Sequence, residues 1–245
     1  MSYPRVPLRA MRLDPAAVLA LRAARPAGSF FEVEFNAAGR GWVALAALGR
    51  DRMALLRRTG VARRAIARPA ACVPGDIPLP VTASIDLLGL SARILSPVLA
   101  AVALAGVVPM LDDEQMWTRG NRPLAVTGAS GRQVAGAVDA AQALYAGVVQ
   151  PVLIPLVAAY RQEFGVSPRV LWGDVASALN GAATVLEASG LEQRIPVSPI
   201  VVALLGIGEL GGTARSLPPG FVRNSCCLYY RVPGGRLCGD CVLAR

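Results

Sequence analysis

Polar and apolar positions along the chain divide it into a helical body and an irregular tail. Asp14-Pro15 pairs a capping carboxylate with a proline suited to the first helical position, and predicts a helix from Ala16 to Ala24, closed by Pro26 and Gly28. Phe31, Val33 and Phe35 alternate with Glu32 and Glu34, the pattern of a half-buried strand over Ser29 to Phe35. Trp42 to Arg58 is helix-compatible with a break at Gly49, and Arg68 to Pro80, with four prolines and a glycine, reads as a loop crossing. Ser84 to Val108 reads as a long, mostly buried helix. Asp112 to Thr127 is polar and mixed, with a hairpin or surface loop at Trp117-Thr-Arg-Gly-Asn-Arg-Pro. From Arg132 onward, Val134, Val138, Ala141, Leu144, Tyr145 and Val148 recur at helical spacing, and Pro151 and Pro155 predict a kink or split before Phe164. Asp174 is expected to cap a helix running to Ser189, with Gly190 just past its end, and Ser198-Pro199 to open a last short helix ending near Gly206. A glycine- and proline-rich run, Gly206 to Gly220, leads into the tail. The expected fold is mainly α, an α+β class with minor β: a helical body over residues 1–220 and a short irregular segment over 221–245.

Composition narrows the chemistry. The 245 residues are 54% hydrophobic and 17% charged, enough to bury a sizeable core. The eighteen largely apolar residues Ile94 to Leu111 have the length of a membrane span, but Pro97, the flanking Arg93 and Asp86, and the alanine content favour a buried helix. Every basic side chain is arginine; the chain contains neither histidine nor lysine. Catalysis by Ser-His-Asp or Cys-His pairs, histidine metal ligation, a phosphate-loop lysine and Schiff-base chemistry are therefore excluded. The formal charge of +9 favours an anionic partner, while only 5% aromatic residues argues against stacking on single strands, so no nucleic acid is expected. The first residues, Met1-Ser-Tyr-Pro-Arg-Val-Pro-Leu-Arg, have no apolar signal region, so a reducing cytoplasm is expected, with arginines available for peripheral attachment to the inner face of the plasma membrane.

Two glycine motifs fail on context. Gly206-Ile-Gly208-Glu-Leu-Gly211 follows an apolar run as a dinucleotide fingerprint does, but no helix-forming stretch follows it. Thr127-Gly-Ala-Ser-Gly131 lies mid-chain without the lysine that short-chain dehydrogenases use. Asp112-Asp113 reads as a solvated turn.

Candidate chemistry concentrates in Asn224-Ser-Cys226-Cys227-Leu-Tyr-Tyr-Arg231-Val-Pro-Gly-Gly-Arg236-Leu-Cys238-Gly-Asp-Cys241, which holds four of the five cysteines. In a reducing compartment such a group points to metal binding more than to disulfides, and thiolates suit zinc and iron–sulfur clusters. Pro233, Gly234 and Gly235 allow the ten-residue spacer to reverse, and Gly239 leaves the Cys-Gly-Asp-Cys loop without a Cβ. The residues alone leave open a disulfide pair, a four-thiolate zinc staple and a binuclear iron–sulfur cluster, with the adjacent pair Cys226-Cys227 diverging in a way that suits the binuclear centre. Cys72, in the proline-rich loop, reads as a bystander.

The spacing Cys226-Cys227-x10-Cys238-x2-Cys241, with Leu-Tyr-Tyr-Arg after the first pair and Cys-Gly-Asp-Cys closing, resembles the C-terminal 2Fe–2S motif of FhuF-like ferric-siderophore reductases. Ser96-Pro97 in the apolar helix and Trp172-Gly-Asp-Val-Ala-Ser177 are similar to body motifs of that family, with Asp174 where its pattern has asparagine. The resemblance implies that Cys226, Cys227, Cys238 and Cys241 ligate one 2Fe–2S cluster, and that the protein passes one electron to a ferric siderophore so that Fe(II) is released in the cytoplasm. It implies a separate electron donor, such as a ferredoxin or a flavin reductase, since no flavin or nicotinamide site is legible. Trp117, Trp172 and Asn180 are the expected substrate-binding residues. Arg223, Arg231 and Arg236, with Arg245, surround the cysteines in sequence and are expected to dock an anionic partner or to raise the cluster's potential. The contrasting expectation is a zinc-stapled siderophore- or nucleic-acid-binding protein without redox activity.

Overall fold

The computed structural model describes residues 13–217 and 220–244. The signal-free reading of the first residues and the role given to Arg245 lie outside them. Asp14 caps α1 (Pro15–Ala23) by accepting the Ala16 N–H at 2.9 Å, and its second oxygen accepts the Gly131 N–H at 2.8 Å. One carboxylate thus starts a helix and pins it to a strand far along the chain. The expected break near Gly49 falls at Asp51 instead. There α2 (Leu45–Arg50) ends and the Asp51 carboxylate, accepting the Met53 N–H at 2.8 Å, opens α3 (Arg52–Ala67). A glycine inside a helix costs only about 1 kcal/mol, whereas a capping carboxylate offers the backbone an alternative partner.

The axis of the molecule is α4 (Leu79–Ala105), an apolar helix with Pro97 in its interior, stopped by Gly106 in the left-handed conformation at φ 66°. Its alanines and small side chains let α7 (Pro168–Ala188) pack along its length. Around this pair sit α5 (Ala137–Leu144), α6 (Ile154–Phe164) and α8 (Val197–Leu204). Two helical stretches, Leu79–Ala105 and Ala137–Phe164, are long and apolar enough to cross a membrane, but 72% and 56% of their apolar windows are buried within this fold. Their apolar character is spent on the protein's own core.

Strands are few and short. They are β1 (Val33–Glu34), β2 (Val43–Ala44), β3 (Val107–Met110), β4 (Met116–Thr118), β5 (Leu124–Val126) and β6 (Ser130–Gln133). A four-stranded sheet runs in the order β1-β5-β4-β2, and β3 pairs antiparallel with β6. The expected hairpin is present, with Met116 opposite Val126. The strand expected over Ser29–Phe35 shrinks to two residues, because Gly28 at φ 128° and a 3-10 turn at Ser29–Phe31 consume its first half. The helix expected from Arg132 begins only at Ala137, since Ser130–Gln133 is claimed by β3, and Val138 is left exposed. Pro151 does not break the chain. It lies in a π-helical segment, Tyr145–Leu153, whose wider i→i+5 turns accommodate the missing N–H before α6 begins with Pro155 in its first turn.

Asp174 does not cap α7. The helix starts a turn and a half earlier, after Ser167, and Asp174 is buried inside it. The glycine motif at 206–211 ends in a 3-10 turn, Gly208–Leu210, rather than a phosphate-binding helix. The Asp112 carboxylate accepts the N–H groups of Glu114 and Gln115, which makes the acidic pair a turn as expected. Beyond it, β7 (Ala214–Leu217) and β8 (Gly220–Arg223) form an antiparallel hairpin that the composition of this stretch concealed, and β8 delivers the chain into the cysteine segment. The fold is mainly α with minor sheets and a cysteine-rich, irregular C-terminal segment.

Candidate metal centre

The tail is held in shape by turns rather than by a core of its own. Leu228 follows the cysteine pair in the left-handed conformation, φ 65°, and starts a 3-10 turn at Tyr229–Arg231. Gly234 at φ 70° continues the reversal, and at Gly235 a Cβ would collide with the carbonyl oxygens of Tyr229 and Val232. The Gly235 N–H donates to Val232 O at 2.7 Å, the Cys241 N–H to Cys238 O at 3.2 Å and the Arg223 N–H to Asp240 O at 3.1 Å. These bonds fold the ten-residue spacer back so that the second cysteine pair meets the first. Gly239 carries no such constraint: a Cβ there meets nothing within 4 Å, so the spatial need for glycine lies in the spacer and not in the Cys-Gly-Asp-Cys loop.

Four sulfurs gather in the tail. Cys227 Sγ and Cys238 Sγ are 3.6 Å apart, and the Cys227 and Cys241 side chains both act to raise the Cys226 pKa. Backbone N–H groups already point at two of them, from Leu228 to Cys226 Sγ at 3.3 Å and from Leu243 to Cys241 Sγ at 3.4 Å. Burial raises the thiol pKa values of Cys226 and Cys238, the latter also through Asp240 and Cys227, so metal loading must displace protons. Among the described residues no three Cys, His, Asp or Glu side chains gather about one ion-sized point. A mononuclear zinc staple requires all four sulfurs about a single point, whereas a binuclear cluster requires two pairs. Cys72 stays outside this group and is a free thiol; it packs with Ala67, Ile77 and Val81 beside Leu228 and Val232.

The cysteines are seated on the body through a buried polar seam. Arg223 and Asp174 both have 0% side-chain exposure, with Nη1 donating to Oδ1 at 2.9 Å. Arg223 Nε donates to Ser225 O at 3.1 Å, while its Nη2 and the Ser225 hydroxyl are buried without partners. Ser84 Oγ on α4 lies 2.7 Å from Asp174 Oδ2 and 2.9 Å from the Cys227 carbonyl oxygen. Ser177 on α7 donates to Asp240, between the last two cysteines. At Gly173 a Cβ would strike Ser225 Oγ, so glycine is what lets the tail approach α7 this closely. Burial pushes the Asp174 carboxyl up to about 7 against the pull of Arg223. Burial also opposes the Arg223 charge, but Asp174, Cys227 and Asp240 outweigh it and raise its pKa. The Cys227 side chain is thus among the groups that favour the Arg223 charge.

Other expected site residues are scattered. Trp172 and Asn180 share α7 eight positions apart, about 12 Å along its axis, while Trp117 sits in β4 with its indole N–H donating to Thr127 Oγ1 at 3.2 Å. Trp172 lines a depression with Arg161, Gln162 and Glu209; Asn180 lies one turn beyond Ser177. Arg231 and Arg236 are exposed as docking requires. Arg223 is not: with no accessible surface it cannot meet a partner, and its charge is directed inward. Sequence reasoning gave no role to Ser84, Ser225 and Asp240, and met Ser177 only as the end of the Trp172–Ser177 motif.

The family model of the FhuF 2Fe-2S C-terminal domain matches residues 223–243, from the buried arginine to just past the last cysteine. No curated protein matches the chain. The tail thus matches an FhuF-type 2Fe–2S domain, and its four neighbouring thiols and buried arginine fit the donor set of a 2Fe–2S cluster.

Proposed function

We propose that the protein is a ferric-siderophore reductase, an iron–sulfur oxidoreductase acting in the cytoplasm. The observation that carries this reading is the gathering of four cysteines, Cys227 and Cys238 within 3.6 Å, in a segment matching the FhuF 2Fe–2S domain. Cys226, Cys227, Cys238 and Cys241 hold the cluster, which supplies one-electron transfer when bound. Cys227 Sγ and Cys238 Sγ already lie 3.6 Å apart, close enough that both would ligate the same group. Residues 221–245 form the cluster-binding segment, and residues 1–220 the body that presents the acceptor.

The chain's own residues set the conditions for transfer. Arg223, held by Asp174, places a fixed positive charge beside the sulfurs and favours the more reduced, more negative state. The exposed Arg231 and Arg236, with Tyr229 and Tyr230 at 40% and 47% exposure, give a basic, aromatic face suited to an acidic donor such as a ferredoxin or a flavin reductase. One electron leaves that donor and one reaches siderophore-bound Fe(III), whose hard oxygen donors hold Fe(II) far less tightly and release it. No bond in the siderophore breaks. Protein purified without oxygen should absorb in the visible, bleach with dithionite, and recover on adding a ferric siderophore as Fe(II) appears. A colourless protein carrying stoichiometric zinc would end this reading.

A further inference from the structure

A groove of about 490 Å³ runs between α4, α7 and the turn at 27–31, a volume within the usual range of small-molecule sites. Phe30, Phe31, Leu88, Ala92, Gly181 and Val185 line it, so its wall is apolar. Beside its Phe30 wall stands a charge. The Arg93 guanidinium stacks 4.6 Å from the centre of the Phe30 ring and has no carboxylate partner among the described residues. The nearest charge acting on it is another cation, Arg58. Ser177, at one end of the groove, donates its hydroxyl to Asp240, the residue between Cys238 and Cys241. An apolar trough beside a guanidinium without a carboxylate partner among the described residues thus shares Ser177 with the cluster loop. The depression at Trp172 differs in kind: it already holds both signs of charge, Arg161 and Glu209, and is not lined by Ser177.

We infer that this groove is the seat of the iron substrate, and that it selects anionic Fe(III) chelates bearing an apolar arm. The arm lies along Phe30, Phe31, Leu88 and Val185, and the anionic metal core sits at Arg93 near Ser177. Apolar burial supplies affinity in proportion to the area covered, and the guanidinium supplies charge complementarity in a partly desolvated place. Arg93 and the groove replace Trp117, Trp172 and Asn180 as the substrate-binding set. This inference rests on the reductase reading for its substrate class.

Gallium(III) mimics Fe(III) in size and charge but accepts no electron under these conditions, so it separates binding from reduction. The probes are the gallium complex of an acylated citrate-dihydroxamate, which is anionic, and its unacylated parent, titrated calorimetrically into the cluster-loaded protein. The acylated complex should bind at least roughly tenfold tighter than the parent, the equivalent of about 1.4 kcal/mol. Gly181→Leu fills the groove where a side chain meets nothing within 4 Å, and should erase that difference while the visible spectrum of the cluster stays unchanged. Arg93→Gln should weaken both complexes severalfold. Ala158→Leu, which fills the depression at Trp172, should change neither. Unaltered binding in Gly181→Leu, or lost binding in Ala158→Leu, overturns the inference. So does a change of oligomeric state in Gly181→Leu with binding intact, which would mark the groove as a contact between copies. Gallium binding that depends on the groove, in a protein that never reduces the ferric complex, would sink the reductase reading and leave the groove standing. Reduction indifferent to Gly181→Leu would do the reverse.

Discussion

Two arginines are buried against carboxylates in this protein, and they are used differently. Arg58 donates to Asp86 at 2.9 Å and to Thr118 Oγ1 at 2.9 Å, and Asp86 also accepts from the Tyr160 hydroxyl at 2.6 Å. That pair joins α3, α4, α6 and β4 inside the body, and its partners are all structural side chains. Arg223 meets Asp174 at the same 2.9 Å, yet neither residue has any exposed surface, and the Coulomb field of Cys227 acts on the arginine. Each guanidinium leaves one nitrogen without a partner, and Ser225, whose carbonyl accepts from Arg223, also has an unspent hydroxyl. Asp86 and Ser84 leave α4 two positions apart, about 200° around the helix, so one helix serves both centres. A buried ion pair that returns little net stability can still fix a geometry. Here one fixes the body, and the other aims charge at the metal centre.

The widest test separates the centre from everything else. Cys227→Ser should abolish iron content and visible colour, while Cys72→Ser, on a thiol outside the group, should leave both intact. Next, Asp86→Ala and Asp174→Ala each strand a buried arginine and should each cost about 3–5 kcal/mol in urea unfolding at pH 8. Only Asp174→Ala should also move the cluster's midpoint potential, upward, because a negative charge leaves while Arg223 stays. Equal shifts in both variants would erase the distinction drawn between the two pairs. Arg223→Gln should move the midpoint the other way, on the order of tens of millivolts within the span of roughly −700 to +450 mV open to such clusters, and Ser225→Ala less in the same direction. Redox titration followed by visible absorption measures all four.

The smallest effect concerns protons. Asp174 titrates near 7 in the fold against 3.8 for an ordinary aspartate, so the folded state holds a proton that the unfolded state has lost. Stability from this group is present at low pH and falls as pH rises through the interval up to about 7, then levels off. Urea midpoints between about pH 5.5 and 8 should show that slope in the parent protein and lose it in Asp174→Asn.

What the sequence disclosed followed from local pattern. The capped start at Asp14, the buried helix around Pro97, the Trp117 hairpin and the cysteine spacing each arise from residues close together in the chain. The seam was illegible because its partners lie 49, 90 and 143 positions apart, as Arg223 with Asp174, Ser84 with Asp174, and Ser84 with Cys227. Asp174 was misread as a cap because an aspartate between apolar residues carries the same local signal whether it starts a helix or is buried within one. The π segment hid behind Pro151, where a broken helix and a widened one look alike in sequence. Arg223 was read as a surface charge for a related reason: nothing local reports that β8 carries it inward.

The close fit of Ser225 against Gly173 bears on how the molecule is made. Asp174 is synthesised 49 positions before the arginine that pairs with it, so the seam closes only once the tail has been made. Arrival of Arg223 completes the pair and brings the four thiols to rest on α4 and α7 in the same movement. A tail seated in this way needs α4 and α7 already in place, so its order reports on the whole fold.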